Sequence, residues 1–171
     1  KREPEGAVSN HLHDQLAVGD TIDLLPPCGD FTLRRNGKPL VLLTGGVGIT
    51  PAISMLNVEA QSTRDIRFIH AAINSDMHAF KAHVNQLAAA NSKIIPLYIY
   101  SEPGVDCQPD AEGFVTADLI AAQLPEDRDV EFYFLGPKPF MGAVFKIATE
   151  LGVPEGQIHY EFFGPDEGLV A

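Results

Sequence analysis

Residues 40–56, LVLLTGGVGITPAISML, place three glycines, a threonine and a proline between an aliphatic run and a second apolar stretch. Gly45, Gly46 and Gly48 can adopt positive φ and present no side chain to an approaching ligand. Thr50 stands where a helix N-cap belongs, and Pro51 falls in the first helical position, where its missing N–H costs nothing. With Val47 and Ile49 completing the bend, the following helix would open with free N–H groups and the positive end of its dipole, an arrangement suited to a pyrophosphate. The bend is not the G-x-G-x-x-G fingerprint, because Pro51 occupies the last glycine position, and a plain chain reversal uses the same residue types.

Further turns with chemical potential follow other apolar runs. Ser101 and Glu102 follow IIPLYIY, and Gly136 and Pro137 follow EFYFL, repeating the device of an unobstructed backbone before a helix, with Met141 as an adaptable wall. Taken singly, each is an ordinary connecting loop. The histidines are spaced poorly for chelation: His11 and His13 are two apart, His78 and His83 five apart, and no metal site is expected. His70 and His159 lie in strands that could neighbour a ligand pocket, as packing or supporting groups. Cys28 and Cys107 belong to no C-x-x-C, so reduced structural cysteines are the expectation.

The elements that must position these residues alternate after Lys38. Strands are predicted at 40–44, 66–71, 94–100, 131–135 and 157–163, and helices at 51–59, 79–90, 116–123 and 139–151. The pattern predicts an α/β fold, a doubly wound five-stranded parallel sheet with helices on both faces. Its strand-to-helix turns share the carboxyl edge, where ligands of such sheets bind. Before Gly37 the pattern differs. A short helix with Ser9 as N-cap precedes two strand-like pieces in DTIDLLPPCGDFTL, broken at Pro26-Pro27 and Gly29. These pieces lack partners, so residues 1–36 read as the tail of a β-rich domain and 37–171 as the α/β domain.

Composition sets the outer limits. The chain has 171 residues, 45% of them hydrophobic, enough to bury a core. Its formal net charge of -11 and scattered Lys and Arg argue against nucleic acid or an anionic membrane as partner. No apolar run reaches the ~20 residues of a membrane span, and KREPEGAV lacks the apolar stretch of a signal peptide, so a cytoplasmic location is expected.

GGVGITP, LGPKPFM and HYEFFGP, together with GAVSNHLHDQLAVGDTIDLLPPCGDF, resemble the ferredoxin-NADP reductase superfamily, most closely the FAD/NAD reductase portion of flavohemoglobins, the nitric oxide dioxygenases. The resemblance covers nearly the whole chain in order. It implies the last strands of an FAD-binding β-barrel followed by an NAD(P)H-binding domain, with electrons running from NADH through FAD to haem iron in a globin domain outside this chain, where NO and oxygen become nitrate. It gives residues 46–51 the cofactor pyrophosphate, with Thr50 at the nicotinamide end. Gly6, Val8 and Ser9 match the stretch that meets the FAD phosphates. Phe163, beside Phe162 and before Gly164 and Pro165, matches the aromatic lying on the flavin ring, and Glu161 an acid near the flavin.

Two departures bear on this resemblance. Leu135 stands where the family commonly has cysteine before Gly-Pro, leaving that nicotinamide contact apolar, and the flavin-gripping Arg-x-Tyr-Ser motif does not occur, so FAD is expected to be held poorly or not at all. A 2′-phosphate needs Arg or Lys beside the adenosine ribose, whereas Ser101-Glu102 leads into acidic VDCQPDAEG, so NADH is expected over NADPH. The alternatives are an NADH-dependent flavin reductase, an oxygenase reductase component serving another electron acceptor, or a nucleotide-binding module without turnover.

Overall fold

A computed structural model describes residues 2–26 and 28–162, which fall into two units, Lys1–Asp30 and Phe31–Ala171. In the first unit helix α1, Ala7–Asp14, buries no residue and is tied locally by an Arg2–Asp14 ion pair at 2.7 Å. Gly6, not Ser9, is its N-cap; Ser9 lies inside the helix, where its Oγ accepts from the Glu3 N–H and donates to the Gly6 carbonyl. The two strand-like pieces expected within 20–33 form no strand among the described residues, and Ile22, Leu24 and Leu25 are exposed. An extended segment becomes a strand only when a neighbouring strand takes its N–H and C=O groups, and among the described residues no strand pairs with this stretch.

Residues 31–36 belong to the second unit, so the division at Asp30/Phe31 precedes the change of pattern at Asn36/Gly37. Phe31 meets Tyr133 edge-on with ring centroids 5.5 Å apart. The Tyr133 hydroxyl donates to the Thr32 carbonyl at 3.0 Å and accepts from the Arg34 N–H at 2.8 Å.

The second unit is built on strands β1 (Leu40–Gly45), β2 (Ile66–Ala72), β3 (Ile94–Tyr100), β4 (Ala111–Glu112), β5 (Glu131–Leu135) and β6 (Ile158–Tyr160), in the order β4-β3-β2-β1-β5-β6. Every pairing is parallel. This is the doubly wound sheet of the sequence pattern, widened from five to six strands by β4, whose two residues pair with Ile99 and Tyr100. Strands β1 and β5 are interior strands buried throughout, which explains their largely apolar sequences.

Alternate residues of β1 feed two cores. Leu40 and Leu42 pack with Ile53 and Leu56 of helix α2 (Ile49–Glu59) and Val84 of helix α3 (Lys81–Ala90). Val41 and Leu43 pack with Ile120 of helix α4 (Ala117–Ala121) and with Val144 and Ala148 of helix α5 (Lys138–Glu150). The strand order reverses direction between β1 and β5, so the crevice of this sheet lies at the carboxyl ends of those two strands.

Candidate functional site

At that crevice β1 ends in a 3-10 turn, Gly46–Gly48, that runs directly into α2. Only Gly46 uses the left-handed region, with φ +53°. Gly45 and Gly48, at φ −121° and −61°, are small for another reason. A Cβ on Gly48 would lie 2.5 Å from the Leu135 carbonyl oxygen, and one on Gly45 3.2 Å from Pro137 Cδ. A Cβ on Gly136 would meet the Phe140 ring at 2.5 Å and Gly45 Cα at 3.2 Å. Gly45, Gly48 and Gly136 thus let the turns after β1 and β5 nest against one another.

The helix also begins earlier than its sequence suggests. Gly48 is the N-cap; Thr50 and Pro51 are the second and third residues of α2, so Thr50 caps nothing by side chain and its Oγ1 donates to the Val47 carbonyl at 3.3 Å. The 3-10 turn winds the chain before Thr50 is reached, and its closing N–H groups engage the carbonyls of Gly46 and Val47. Gly48 and Ile49 are buried, whereas Gly46, Val47 and Thr50 form the exposed rim. A helix start leaves leading N–H groups without intrahelical acceptors, and the exposed backbone of Gly46 and Val47 lies beside that start.

The remaining expected residues are distributed as follows. Pro137 is the N-cap of α5. Met141 is 1% exposed and packed in the core beside Val144, so it is a packing residue rather than a wall of the crevice. Ser101 and Glu102 leave β3 at the same carboxyl edge, their N–H groups bonded to the carbonyls of Ala72 and Ile73, and the Glu102 side chain is exposed. Gly6, Val8 and Ser9 sit at the start of α1 in the first unit, where Val8 is exposed. Glu161 is exposed and Phe162 half-buried, its ring edge-on to Tyr160 at 5.9 Å. Phe163, Gly164 and Pro165 lie outside the described residues.

One cluster was not legible as such in the sequence. Thr44, the last side chain of β1 before the glycine turn, has its Oγ1 2.7 Å from His70 Nδ1. The His70 ring lies 4.4 Å from that of His78, whose Nδ1 is 2.8 Å from the Tyr100 hydroxyl. Burial pushes His70 down to about 3 and His78 down to about 4, with His78 adding to the effect on His70 and the Lys81 charge to that on His78. Both imidazoles are therefore neutral at pH 7, bridging the ends of β1, β2 and β3. His159, by contrast, stacks on Tyr133 and bonds Glu131 at 2.6 Å, toward the amino end of β5 and away from the crevice. Cys107 is held by the Ser75 hydroxyl at 2.8 Å, which lowers its thiol pKa. Among the described residues no three His, Cys, Asp or Glu side chains group as metal ligands, and no helix is long and apolar enough to cross a membrane.

A parallel sheet with its switch point beside a glycine turn defines a nucleotide-binding α/β domain. Residues 42–146 match the oxidoreductase NAD-binding domain model, and the chain belongs to that family, within the ferredoxin reductase superfamily. It is 52% identical to the flavohemoprotein of Pseudomonas putida over 99% of this chain and 43% of the relative, so it spans less than half of that protein's length. It superposes with a TM-score of 0.84 on the flavohem-like FAD/NAD binding domain of nitric oxide dioxygenase from Vibrio cholerae, at 33% identity, covering 94% of this chain and 65% of that one. The CS-b5R domains of human Ncb5or in the NAD+ form share the fold, with a TM-score of 0.80 at 22% identity, 94% of this chain and 47% of that one being covered.

Proposed function

We propose that this chain is the reductase part of a flavohemoglobin-type nitric oxide dioxygenase, working in the cytoplasm with a globin haem domain outside the chain. NADH would supply hydride to FAD, and electrons would pass on to a haem iron, where NO and O2 would combine to give nitrate. The observation that carries this reading is the nesting of Gly48 on Leu135, which brings a side-chain-free turn and a helix start to the switch point. The exposed rim of Gly46, Val47 and Thr50 fits a diphosphate that needs close backbone approach.

In this reading Thr50 faces the nicotinamide end, and Ser101 and Glu102 meet the adenosine ribose. Glu161, Phe162, Phe163, Gly164 and Pro165 serve the flavin side, and Gly6, Val8 and Ser9 meet the FAD phosphates. Gly136 and Pro137 complete the crevice wall opposite Gly45. NADH is preferred because the exit from β3 offers Glu102 and no Lys or Arg as far as Gly113. Calorimetry with NADH should register saturable binding, and the chain mixed with FAD should lose the flavin's visible absorption when NADH is added anaerobically. Absence of any heat with millimolar NADH, or a co-crystal with the dinucleotide away from Gly46, would overturn the reading.

A further inference from the structure

We infer that the amino-terminal edge of the sheet carries a second ligand site, for a small oxyanion, built on Arg64 and Arg35. The inference is independent of the nucleotide reading; the length of α2, roughly 16 Å at 1.5 Å per residue, separates the two places. Arg35, Gly37, Glu59, Ser62, Thr63 and Arg64 line a cavity of about 280 Å³. Liquid water occupies about 30 Å³ per molecule, so a tetrahedral oxyanion fits with solvent to spare.

Arg64 carries the argument. Its side chain is 4% exposed; Nε donates to the Lys38 carbonyl, and Nη1 donates to the Arg34 carbonyl at 3.1 Å and faces Glu59 Oε1 at 3.5 Å. Nη2 is buried with no acceptor among the described residues. A buried donor left unpaired costs about 1–3 kcal/mol, so this nitrogen marks a place where an acceptor belongs.

Arg35, Ser62 and Thr63 add further donors to the lining. The exposed Arg35 guanidinium makes no hydrogen bond or ion pair among the described residues. Ser62 Oγ accepts from the Arg64 N–H at 3.3 Å, leaving its own proton to donate, and the Thr63 hydroxyl is exposed. Glu59 neutralises one guanidinium, so the lining keeps a single positive charge on a chain whose formal net charge is -11. The carbonyls at the end of α2 oppose an anion and hold the affinity to a modest level. A phosphate group, with three oxygens for an Arg fork and two hydroxyls, fits the donor set; a carboxylate shares the chemistry with fewer acceptors.

The test is a titration of the isotopically labelled chain followed by nitrogen–proton correlation spectra, using sodium phosphate against sodium chloride at matched ionic strength. Saturable shifts of the Arg64 Nε–H and of the Ser62, Thr63 and Arg64 amides are expected. Arg35→Gln, at an exposed position without partners, should fold normally and weaken them about tenfold. A parallel titration with sodium acetate separates the sources: an equal response assigns the site to a carboxylate of a partner, a response to phosphate alone to a phosphate group. Shifts confined to Gly46 and Val47 would show phosphate binding only at the nucleotide turn. That result, shifts undiminished in Arg35→Gln, or no saturable shift with either anion would overturn the proposal.

Discussion

The Leu135 carbonyl oxygen lies where a Cβ on Gly48 would come within 2.5 Å of it, and the next nearest atoms are also backbone, Leu135 C at 2.6 Å and Gly136 N at 2.9 Å. Neither strand end can yield, because β1 and β5 are hydrogen-bonded to each other from Leu40↔Glu131 to Thr44↔Leu135. Gly48→Ala must therefore push the glycine turn outward. A loss of about 1–3 kcal/mol in urea unfolding is expected, as for other overpacked sites, with NADH affinity reduced more than tenfold.

Gly46 separates folding from binding. Its φ of +53° suits asparagine better than alanine, and a Cβ there meets nothing within 4 Å. Gly46→Asn should unfold within about 1 kcal/mol of the parent, whereas Gly46→Ala should lose about 1–2 kcal/mol to backbone strain. If the dinucleotide diphosphate rests on this backbone, both variants bind NADH weakly in calorimetry, Asn included.

Glu102 is the first acidic residue after β3, anchored through its N–H to the Ile73 carbonyl at 2.9 Å while its side chain is exposed. Replacing it by arginine removes one negative charge and adds a positive one where a 2′-phosphate would come. Glu102→Arg should narrow the ratio of NADPH to NADH dissociation constants by about tenfold without altering thermal stability, as an exposed substitution. A ratio already favouring NADPH in the parent would contradict the ribose assignment.

The strands at 94–100 and 131–135 were readable to the residue because they are continuous apolar runs, and helices α2 and α5 because their apolar spacing is strong. What escaped the pattern is what depends on distant partners. Gly48 reads in sequence as a residue free to take positive φ and bare its backbone, yet its need arises from Leu135, and Thr50 loses its capping role to a 3-10 turn that no local signal announces. β4 is two residues long and exists only through Ile99 and Tyr100. The alternation within 20–33 does mark apolar positions, but without a ladder it forms no strand among the described residues.

The His70–His78 pair makes a pH prediction whose sign is fixed by burial. Both folded-state values, about 3 and about 4, lie below the ordinary 6.5, so above pH 6.5 neither state binds these protons and the fold carries no penalty. As pH falls below 6.5 the unfolded chain takes up protons that the folded one refuses. Stability drops by up to about 1.4 kcal/mol per pH unit for each imidazole until the folded values are reached. Urea unfolding at pH 7.5 and 5 should show this loss, in a range where most carboxylates remain ionised. His78→Phe should remove about half of it, leaving the share of buried His70, while costing stability at pH 7.5 through the unpaired Tyr100 hydroxyl.

Tyr133 offers the last test, of how residues 31–34 are held. Its hydroxyl is donor to the Thr32 carbonyl and acceptor from the Arg34 N–H, and its ring is the partner of both Phe31 and His159. Tyr133→Phe keeps both ring contacts and removes only the oxygen, so the two backbone groups must turn to water. The expected cost is about 1–3 kcal/mol. Faster hydrogen exchange should concentrate at Arg34, whose carbonyl also receives Arg64 Nη1, so a local loosening there should reach the lining of the oxyanion cavity as well. Unchanged exchange at Arg34 would mean that Phe31 and Leu33, which pack on the α2–α3 core, hold the segment by themselves.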